Sequence, residues 1–459
     1  MKLTILKGDN IDLLKKYPDN YFDSVVTDCP YGLGKEPNAL KLLQDWIDHG
    51  YHEIKGKGFM GKSWDSFVPQ PLFWKEVFRV LKPGGYVLAF FGTRTYDWGT
   101  MAIRLSGFEI RDMITYHYGS GFPKSLDVSK AIDKHFGADR RVTGKNKKGS
   151  STGSIVTTGT GNLKREFDIT EAATEAATEA ATEAAGWGTA LKPATEPICV
   201  ARKPPCGTVT ENVLKYATGG INIDGGRIDT IERSPGFVNP SPVSRDMMAT
   251  GNDKKVDWDN SKGRFPANVI FDPFMADVLD EQTGELTSGK PCGKRNAQNN
   301  IYGVYQTGQD VTGFGDSGGA SRFFYCAKAS QDERSLGCEQ LGKMMGEFSD
   351  DVEKGNYRER LRTNFHPTVK PIALMRYLQR LVTPKGGICL DPFAGSGTSG
   401  CSAYFEDIGE MVLMEMDETY IPIIEARTRY WSIEKNRNNY LDEIKVQKEE
   451  IIKEQLKLF

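Results

Sequence analysis

The sequence predicts an α/β fold with a parallel-type sheet assembled from both ends of the chain. Two short strand-like runs, Ser24–Thr27 and Gly387–Leu390, each end in an acidic residue followed by a turn rich in Pro and Gly. Strand-like and helix-like runs alternate up to about residue 118 and again from about residue 321. Between them, residues 119–320 shift to Gly, Ser, Thr, Asn and Lys with weak periodicity, the composition of a large insertion.

In the first part, Leu3–Leu6 reads as a strand, Ile11–Tyr17 as a short helix and Phe22–Thr27 as a buried strand. Leu72, Phe73, Val77, Val80 and Leu81 recur at helical spacing over Pro71–Leu81, and Lys82-Pro83-Gly84-Gly85 stops that helix. Tyr86–Phe91 is a strongly apolar strand, Met101–Leu105 a helix closed by Gly107, and Ile110–Tyr118 a further strand. In the middle part, Arg140–Gly161 and Val243–Gly263 read as mobile loops. A strict repeat of Thr-Glu-Ala-Ala runs from Thr170 to Ala185. Ala and Glu favour helix. A period of four, however, stacks Glu171, Glu175, Glu179 and Glu183 on one face, where like charges repel. The repeat is expected to be a solvated helix or spacer without chemistry. In the last part, Ser321–Cys326, Gly387–Leu390 and Met411–Met414 read as strands, and Ile372–Val382 and Ile421–Trp431 as helices. Leu441–Leu458 reads as a charged amphipathic helix for packing or association.

The chain has 459 residues, 39% of them hydrophobic and 26% charged, which is ordinary for a soluble globular protein with a sizeable core. No apolar run approaches the roughly 20 residues of a membrane helix. Met1–Leu6 is charged too early for a signal peptide. The eight cysteines show no metal-ligand spacing, so no metal site is expected. They read as free thiols in a reducing cytoplasm. A formal net charge of −2 is not the basic footprint usual in nucleic-acid binders, although a local basic cleft can sit on a neutral protein.

The first strand-like run ends in Asp28-Cys29-Pro30-Tyr31-Gly32. This resembles the catalytic Asp-Pro-Pro-Tyr signature of DNA methyltransferases that act on an exocyclic amino group. The second ends in Asp391-Pro392-Phe393-Ala394-Gly395-Ser396-Gly397-Thr398, which resembles the loop by which those enzymes hold S-adenosylmethionine. Catalytic motif first and cofactor motif last is the order of the β-class amino-methyltransferases. Trp187–Ile198, Gly263–Ile270 and Phe324–Ser330 resemble blocks of phage and prophage site-specific DNA methyltransferases. The resemblance implies a Rossmann-like methyltransferase sheet with helices on both faces. Residues 1–118 and 321–459 would form the catalytic halves, and 119–320 the inserted target-recognition region.

At the cofactor end, Gly395 and Gly397 let the backbone approach a ligand at a strand-to-helix turn. Phe393 and Ser396 belong to the same loop. The chain has no Gly-x-x-x-x-Gly-Lys-Ser/Thr motif, so a phosphate-binding loop is not expected. Asp391 is expected to face the ammonium or sulfonium side of S-adenosylmethionine. Glu415, 24 residues later at the end of the next strand, is expected to accept both ribose hydroxyls. His366-Pro367-Thr368-Val369-Lys370-Pro371 resembles the family segment lining the methionine end, with Thr368 and Lys370 as donors to the cofactor carboxylate. Asp9 resembles the family acid near the adenine ring, and a helix N-cap fits it nearly as well.

At the catalytic end, an exocyclic amino nitrogen is a poor nucleophile because its lone pair is delocalised into the ring. A carboxylate and a backbone carbonyl can each accept one N–H and aim it. Asp28 supplies the carboxylate, the carbonyl of Cys29 or Pro30 the second acceptor, and Tyr31 a face for a flipped base. Cys29 is read as a small buried replacement with an inert thiol. In the family, Asp at the first motif position goes with adenine N6 and Ser more often with cytosine N4, so adenine N6 is expected and cytosine N4 is the alternative. A methyltransferase of RNA or protein and a catalytically inactive DNA-binding protein are the remaining readings. Double-stranded DNA is the expected partner, with phosphate contacts from Arg140-Arg141, Lys145, Lys147-Lys148 and Arg202-Lys203. Family members often pair, which by analogy implies a homodimer. No nuclease signature occurs, which fits a solitary enzyme or a restriction-modification pair with a separate endonuclease.

Overall fold

The computed structural model describes residues 1–54, 63–119, 125–140, 142–149, 168–174, 176–228, 263–287, 317–327, 333–342, 344–345 and 361–456. The chain begins with strand β1 (Lys2–Lys7), helix α1 (Asn10–Leu14) and strand β2 (Phe22–Asp28). Helices α2 (Ala39–His49) and α3 (Pro71–Val80), strand β3 (Leu81–Phe90), helix α4 (Tyr96–Leu105) and strand β4 (Glu109–His117) follow. Next come helix α5 (Val128–His135), strands β5 (Val142–Gly149) and β6 (Asp168–Thr174), and helix α6 (Glu179–Glu183). Strand β7 (Thr195–Arg202), helix α7 (Val209–Tyr216), strand β8 (Val269–Phe271) and helix α8 (Pro273–Thr283) lead to five two-residue strands. These are β9 (Leu286–Thr287), β10 (Ser317–Gly318), β11 (Tyr325–Cys326), β12 (Met344–Met345) and β13 (Leu361–Arg362). The chain ends with helix α9 (Ile372–Val382), strand β14 (Ile388–Asp391), helix α10 (Thr398–Ala403), strand β15 (Glu410–Glu415), and helices α11 (Ile421–Ser432) and α12 (Glu434–Leu456).

Two compact units result: Met1–Tyr116 with Glu196–Phe459, and His117–Thr195. The larger is built on a sheet of order β1-β15-β14-β2-β3-β7-β4-β8-β11. The first five strands are mutually parallel. The chain ends meet here, with Lys2 to Lys7 registering on Glu410 to Glu415 and Leu390 on Val25. Strand β2 is buried along almost its whole length, as a central parallel strand covered on both faces must be. Side chains alternate across the sheet. Val25, Val87, Ala89, Leu390, Val412 and Met414 share one core with Leu13, Trp46, Trp74 and Ile103 from α1 to α4. The other face meets α9 and its neighbours: Ser24 Oγ lies 2.8 Å from Thr383 Oγ1, and Gln379 packs on Met411. Buried Asp23 ties three strands at their base, pairing with Lys82 at 2.6 Å and accepting from Ile388 N at 2.7 Å.

From β14 the chain passes to β15 on one side, while from β2 it passes to β3 on the other. The strand order therefore reverses between β14 and β2, and ligands of open α/β sheets bind outside the carboxyl ends of strands at such a point. Asp391 and Asp28 end those two strands.

Several elements differ from expectation. Strand β7 lies within 119–320 yet pairs antiparallel with β3 in the middle of the sheet, and β8 also joins it. Residues Ser321–Cys326 form a 3-10 turn over Ala320–Phe323 and only a two-residue strand. Asp280 holds that turn through Ser321 N and Oγ. The Thr-Glu-Ala-Ala repeat is not one helix: Thr170–Thr174 lies in β6 and only Glu179–Glu183 is helical. In the smaller unit, buried Asp133 explains where that helix begins, accepting from Ala177 N, Thr178 N and Thr178 Oγ1 while pairing with Arg140 at 2.9 Å. Residues 142–149, expected to be loop, pair as β5 with β6. The other expected loop positions, 150–161 and 243–262, lie outside the described residues.

Candidate active site

Asp28 stands at the carboxyl end of β2, and Tyr31 and Gly32 follow in a turn held from outside the motif. Asp65 accepts from Tyr31 N at 3.1 Å and Gly32 N at 3.0 Å, and Thr95 Oγ1 donates to the Tyr31 carbonyl at 2.5 Å. Gly32 has φ +66°, and a Cβ there would stand 2.8 Å from Val68 N, so only glycine fits. Pro30 is half-buried between Cys29 and this turn. The Cys29 thiol donates to Phe90 O at 3.0 Å, and burial, reinforced by the Asp28 charge, pushes it well above the ordinary thiol range. A buried, protonated, donating thiol is no nucleophile.

Four ionisable groups converge here. Lys370 Nζ lies 2.8 Å from Asp28 Oδ2, 3.1 Å from the Tyr31 hydroxyl and 3.3 Å from Glu196 Oε2. It also sits over the Tyr31 and Phe90 rings at 5.4 and 5.0 Å. Burial alone would lower the Lys370 pKa, but Asp28 and Glu196 outweigh it and hold the ammonium firmly charged. Burial raises the Glu196 acid, Lys370 opposes that and Asp28 adds to it. Burial and the Asp28 charge keep the Tyr31 phenol protonated. Asp28 Oδ1 is buried without a hydrogen-bond partner among the described residues. A buried carboxylate oxygen left open is costly unless something donates to it.

The loop after β14 is built as tightly. Asp391 accepts from Thr27 Oγ1 at 2.7 Å, from Phe393 N at 3.1 Å and from Ser399 Oγ. Burial pushes it up to about 6 against those bonds. Its oxygens are thus occupied by the chain itself, so Asp391 braces the loop rather than presenting a carboxylate to a ligand. Phe393 packs on Phe73 at 5.0 Å between ring centroids. Gly395 N donates to Glu415 Oε2 at 2.8 Å, and Asp417 N to Glu415 Oε1 at 2.8 Å. Gly395 has φ +53°, and a Cβ there would meet His366 Nε2 at 2.8 Å. Gly397 is also left-handed and seats on Ile424. Buried Arg427 braces Ser396 and Thr398 through Ser396 O at 2.7 Å, Ser396 Oγ at 3.0 Å and Thr398 Oγ1 at 3.0 Å.

His366 Nδ1 donates to Thr368 O at 2.7 Å, and burial lowers the ring to about 4, so it is neutral with Nε2 facing Gly395. Thr368 itself is exposed. Lys370, expected as a donor to a cofactor carboxylate, is engaged by Asp28 and Glu196 instead. Asp9 is exposed and caps α1, accepting from Ile11 N at 2.9 Å and Asp12 N at 3.2 Å. Sequence reasoning missed Glu196, Asp65 and Arg427. Among expected phosphate contacts, Arg202 is buried against Glu109 at 2.7 Å. Lys203 donates to the Phe78 and Leu81 carbonyls, both at 2.7 Å. Arg140 is engaged by Asp133; Arg141 and the side chains of Lys145, Lys147 and Lys148 lie outside the described residues.

Glu415 gives a pH-dependent expectation. Burial pushes its carboxyl up to about 7, although the Asp417 and Gly395 amides pull the other way. The folded state therefore retains a proton that the unfolded chain loses nearer 4.5. Stability is fully present below that lower value and is lost as pH rises to 7, by at most ~3 kcal/mol. Asp391 acts in the same direction, between 3.8 and about 6. Thermal denaturation without ligand should show the melting temperature falling across this window, and Glu415→Gln should flatten the upper part of the slope.

The groups present suit S-adenosylmethionine. The turn through Gly395 and Gly397 leaves no room for a Cβ and abuts Glu415, an acid whose remaining acceptor capacity would suit hydroxyl groups of a bound cofactor. Among the described residues there is no group of His, Cys, Asp or Glu that would hold a metal, and no helix long and apolar enough to cross a membrane.

No curated protein matches the chain by sequence. The solved M1.HpyAVI complex with S-adenosylmethionine is 12% identical, with 93% of this chain and 99% of that chain covered at a TM-score of 0.32. The PvuII DNA methyltransferase, described as cytosine-N4-specific, is 13% identical, with 93% and 86% covered at 0.40. TTHA0409 from Thermus thermophilus, solved with S-adenosyl-L-methionine, is 12% identical, with 93% of each chain covered at 0.36. The N6/N4 DNA methylase family model matches residues 22–426, a span that holds Asp28, Lys370 and the loop from Asp391 to Glu415. The chain belongs to that family, the S-adenosylmethionine-dependent DNA amino-methyltransferases.

Proposed function

We propose that the protein methylates adenine N6 at a specific site in double-stranded DNA, on a base flipped out of the duplex. The observation that carries this reading is the buried, unpartnered Oδ1 of Asp28, held in place through Oδ2 by Lys370. An amino group entering beside Tyr31 donates one N–H to Oδ1, which draws its nitrogen lone pair out of ring conjugation. Tyr31, fixed by Asp65, Thr95 and Lys370, offers its ring edge and face to the base. The bound cofactor supplies an electrophilic methyl group on a sulfonium. Gly395, Gly397, Ser396, Phe393 and Glu415 would hold it, and Asp28 carries away the proton displaced from the nitrogen. The aspartate at the first motif position supports adenine over cytosine. Residues 119–320 are assigned to reading the target sequence, less strands β7 and β8 of the sheet.

Digestion of DNA from a host expressing the protein, followed by nucleoside analysis, tests the choice of base. N6-methyladenine absent from control DNA is the expected product. N4-methylcytosine in its place would make the cytosine reading correct, and sequencing that maps the modified base would define the site.

A further inference from the structure

We infer that Glu196 is a positioning residue for the methyl transfer, acting on Asp28 through Lys370; this rests on the DNA methyltransferase reading above. Glu196 is on β7, which runs antiparallel to β3. That direction brings the start of β7 to the edge where the parallel strands end: Phe90 pairs with Ile198, and Asp28 pairs with Phe90. Lys370 thereby stands between two carboxylates from different strands, at 2.8 Å from one and 3.3 Å from the other. Its third contact is the Tyr31 hydroxyl at 3.1 Å, so the three protons of the ammonium have three acceptors.

The charge count gives this arrangement a purpose. One lysine facing Asp28 alone would form a compensated ion pair, in which the carboxylate is a weak acceptor for an incoming N–H. A second carboxylate shares the ammonium, leaves one negative charge in excess and returns acceptor strength to Asp28 Oδ1. Glu196 also fixes the Lys370 side chain from the far side, so that Asp28 Oδ2 is held and Oδ1 is aimed. The other groups that feel the Asp28 charge are Cys29, Tyr31, His366 and Asp391. The thiol, phenol and imidazole are neutral at working pH, and Asp391 is braced by Thr27 and Ser399. Glu196, whose acid is raised by burial, therefore contributes its own protonation to the acid limb.

Glu196→Gln keeps the shape and an acceptor for Lys370 while removing the charge. It should lower kcat roughly tenfold. KM for S-adenosylmethionine and calorimetric affinity for S-adenosylhomocysteine should stay within about twofold. The acid limb of the kcat profile should move to lower pH, because the Glu196 acid, raised by burial, no longer takes up a proton there. Glu196→Asp, which retains the charge, should recover the wild-type limb, and it carries the test alone if the Gln variant does not fold. An unchanged kcat and acid limb in Glu196→Gln would overturn the inference. So would a loss of homocysteine-product affinity in step with kcat, the mark of a residue that only supports the fold, or an acid limb displaced in Glu196→Asp. A wild-type protein that transfers no methyl group to DNA removes the underlying reading and the inference with it. An active wild type matched by Glu196→Gln removes the inference alone.

Discussion

Asp28→Ala should lower methyl transfer to DNA by a factor of at least ~10³ while leaving S-adenosylmethionine affinity within about twofold. Among the described residues, Asp28 is the one carboxylate of the site with a buried oxygen that has no hydrogen-bond partner. No other side chain described at this edge replaces it: Asp391 is saturated by Thr27, Phe393 and Ser399, and Glu196 is turned to Lys370. The variant should fold, because Lys370 keeps Glu196 and the Tyr31 hydroxyl as partners. Asp28→Asn retains an acceptor oxygen without the charge and should fall between Ala and wild type. Transfer of labelled methyl groups to DNA and calorimetric titration with the cofactor separate the two effects. If Asp28→Ala loses cofactor affinity instead of turnover, the catalytic and cofactor ends have been exchanged.

Much of this site was legible in the sequence because its motifs are local. An acid at the end of an apolar run, followed by Pro, Tyr and Gly, already specifies a strand end and a turn, and Gly32 and Gly395 have the left-handed backbone that such turns demand. The same holds for Glu415, whose place at the end of β15 follows from strand length alone. What was not legible depends on partners distant in the chain. Lys370 lies four residues after His366 and reads as part of one segment, yet its ammonium belongs to Asp28, 342 positions away. Asp391 reads as a ligand-facing acid, but Thr27 and Ser399 occupy it. Nothing local marks Glu196 as buried charge, since its role depends on β7 entering the sheet antiparallel.

The fold divides in the same way. The parallel half, β1, β2, β3, β14 and β15, follows from apolar runs bounded by turn residues. Strand β7 was hidden in a stretch whose composition resembles an insertion, although Ile198, Cys199, Val200 and Ala201 are all buried. The Thr-Glu-Ala-Ala repeat shows propensity overruled by context: pairing with β5 makes Thr170–Thr174 extended, and the Asp133 anchor sets the start of α6 only at Thr178. Ser321–Cys326 has the apolar content of a strand, but Asp280 and the Arg322 bonds to Gly318 and Gly319 curl it into a turn.

Arg427→Met should destabilise the protein by about 3–5 kcal/mol and weaken cofactor binding through the loop. Arg427 is fully buried in α11, and its guanidinium supplies three of the bonds that hold the Ser396–Thr398 turn. Methionine keeps most of the side-chain volume, so the cost isolates lost donors rather than an empty cavity. The Ser396 carbonyl and the Thr398 hydroxyl would then be left buried with one donor fewer, a penalty beyond the bonds themselves. Gly395 and Gly397 flank Ser396, so slack in this turn reaches the contact between Gly395 N and Glu415. The cluster of Asp28, Lys370 and Glu196 is bonded to none of these atoms and should keep its geometry. Affinity for S-adenosylhomocysteine should therefore fall at least ~tenfold, whereas kcat at saturating cofactor should fall far less, the signature of a binding defect. Chemical denaturation measures the first effect and calorimetry the second. An unchanged unfolding midpoint would show that Arg427 does not brace the loop, and a kcat loss as large as that of Asp28→Ala would couple the loop to the base-facing acid in a way these hydrogen bonds do not provide.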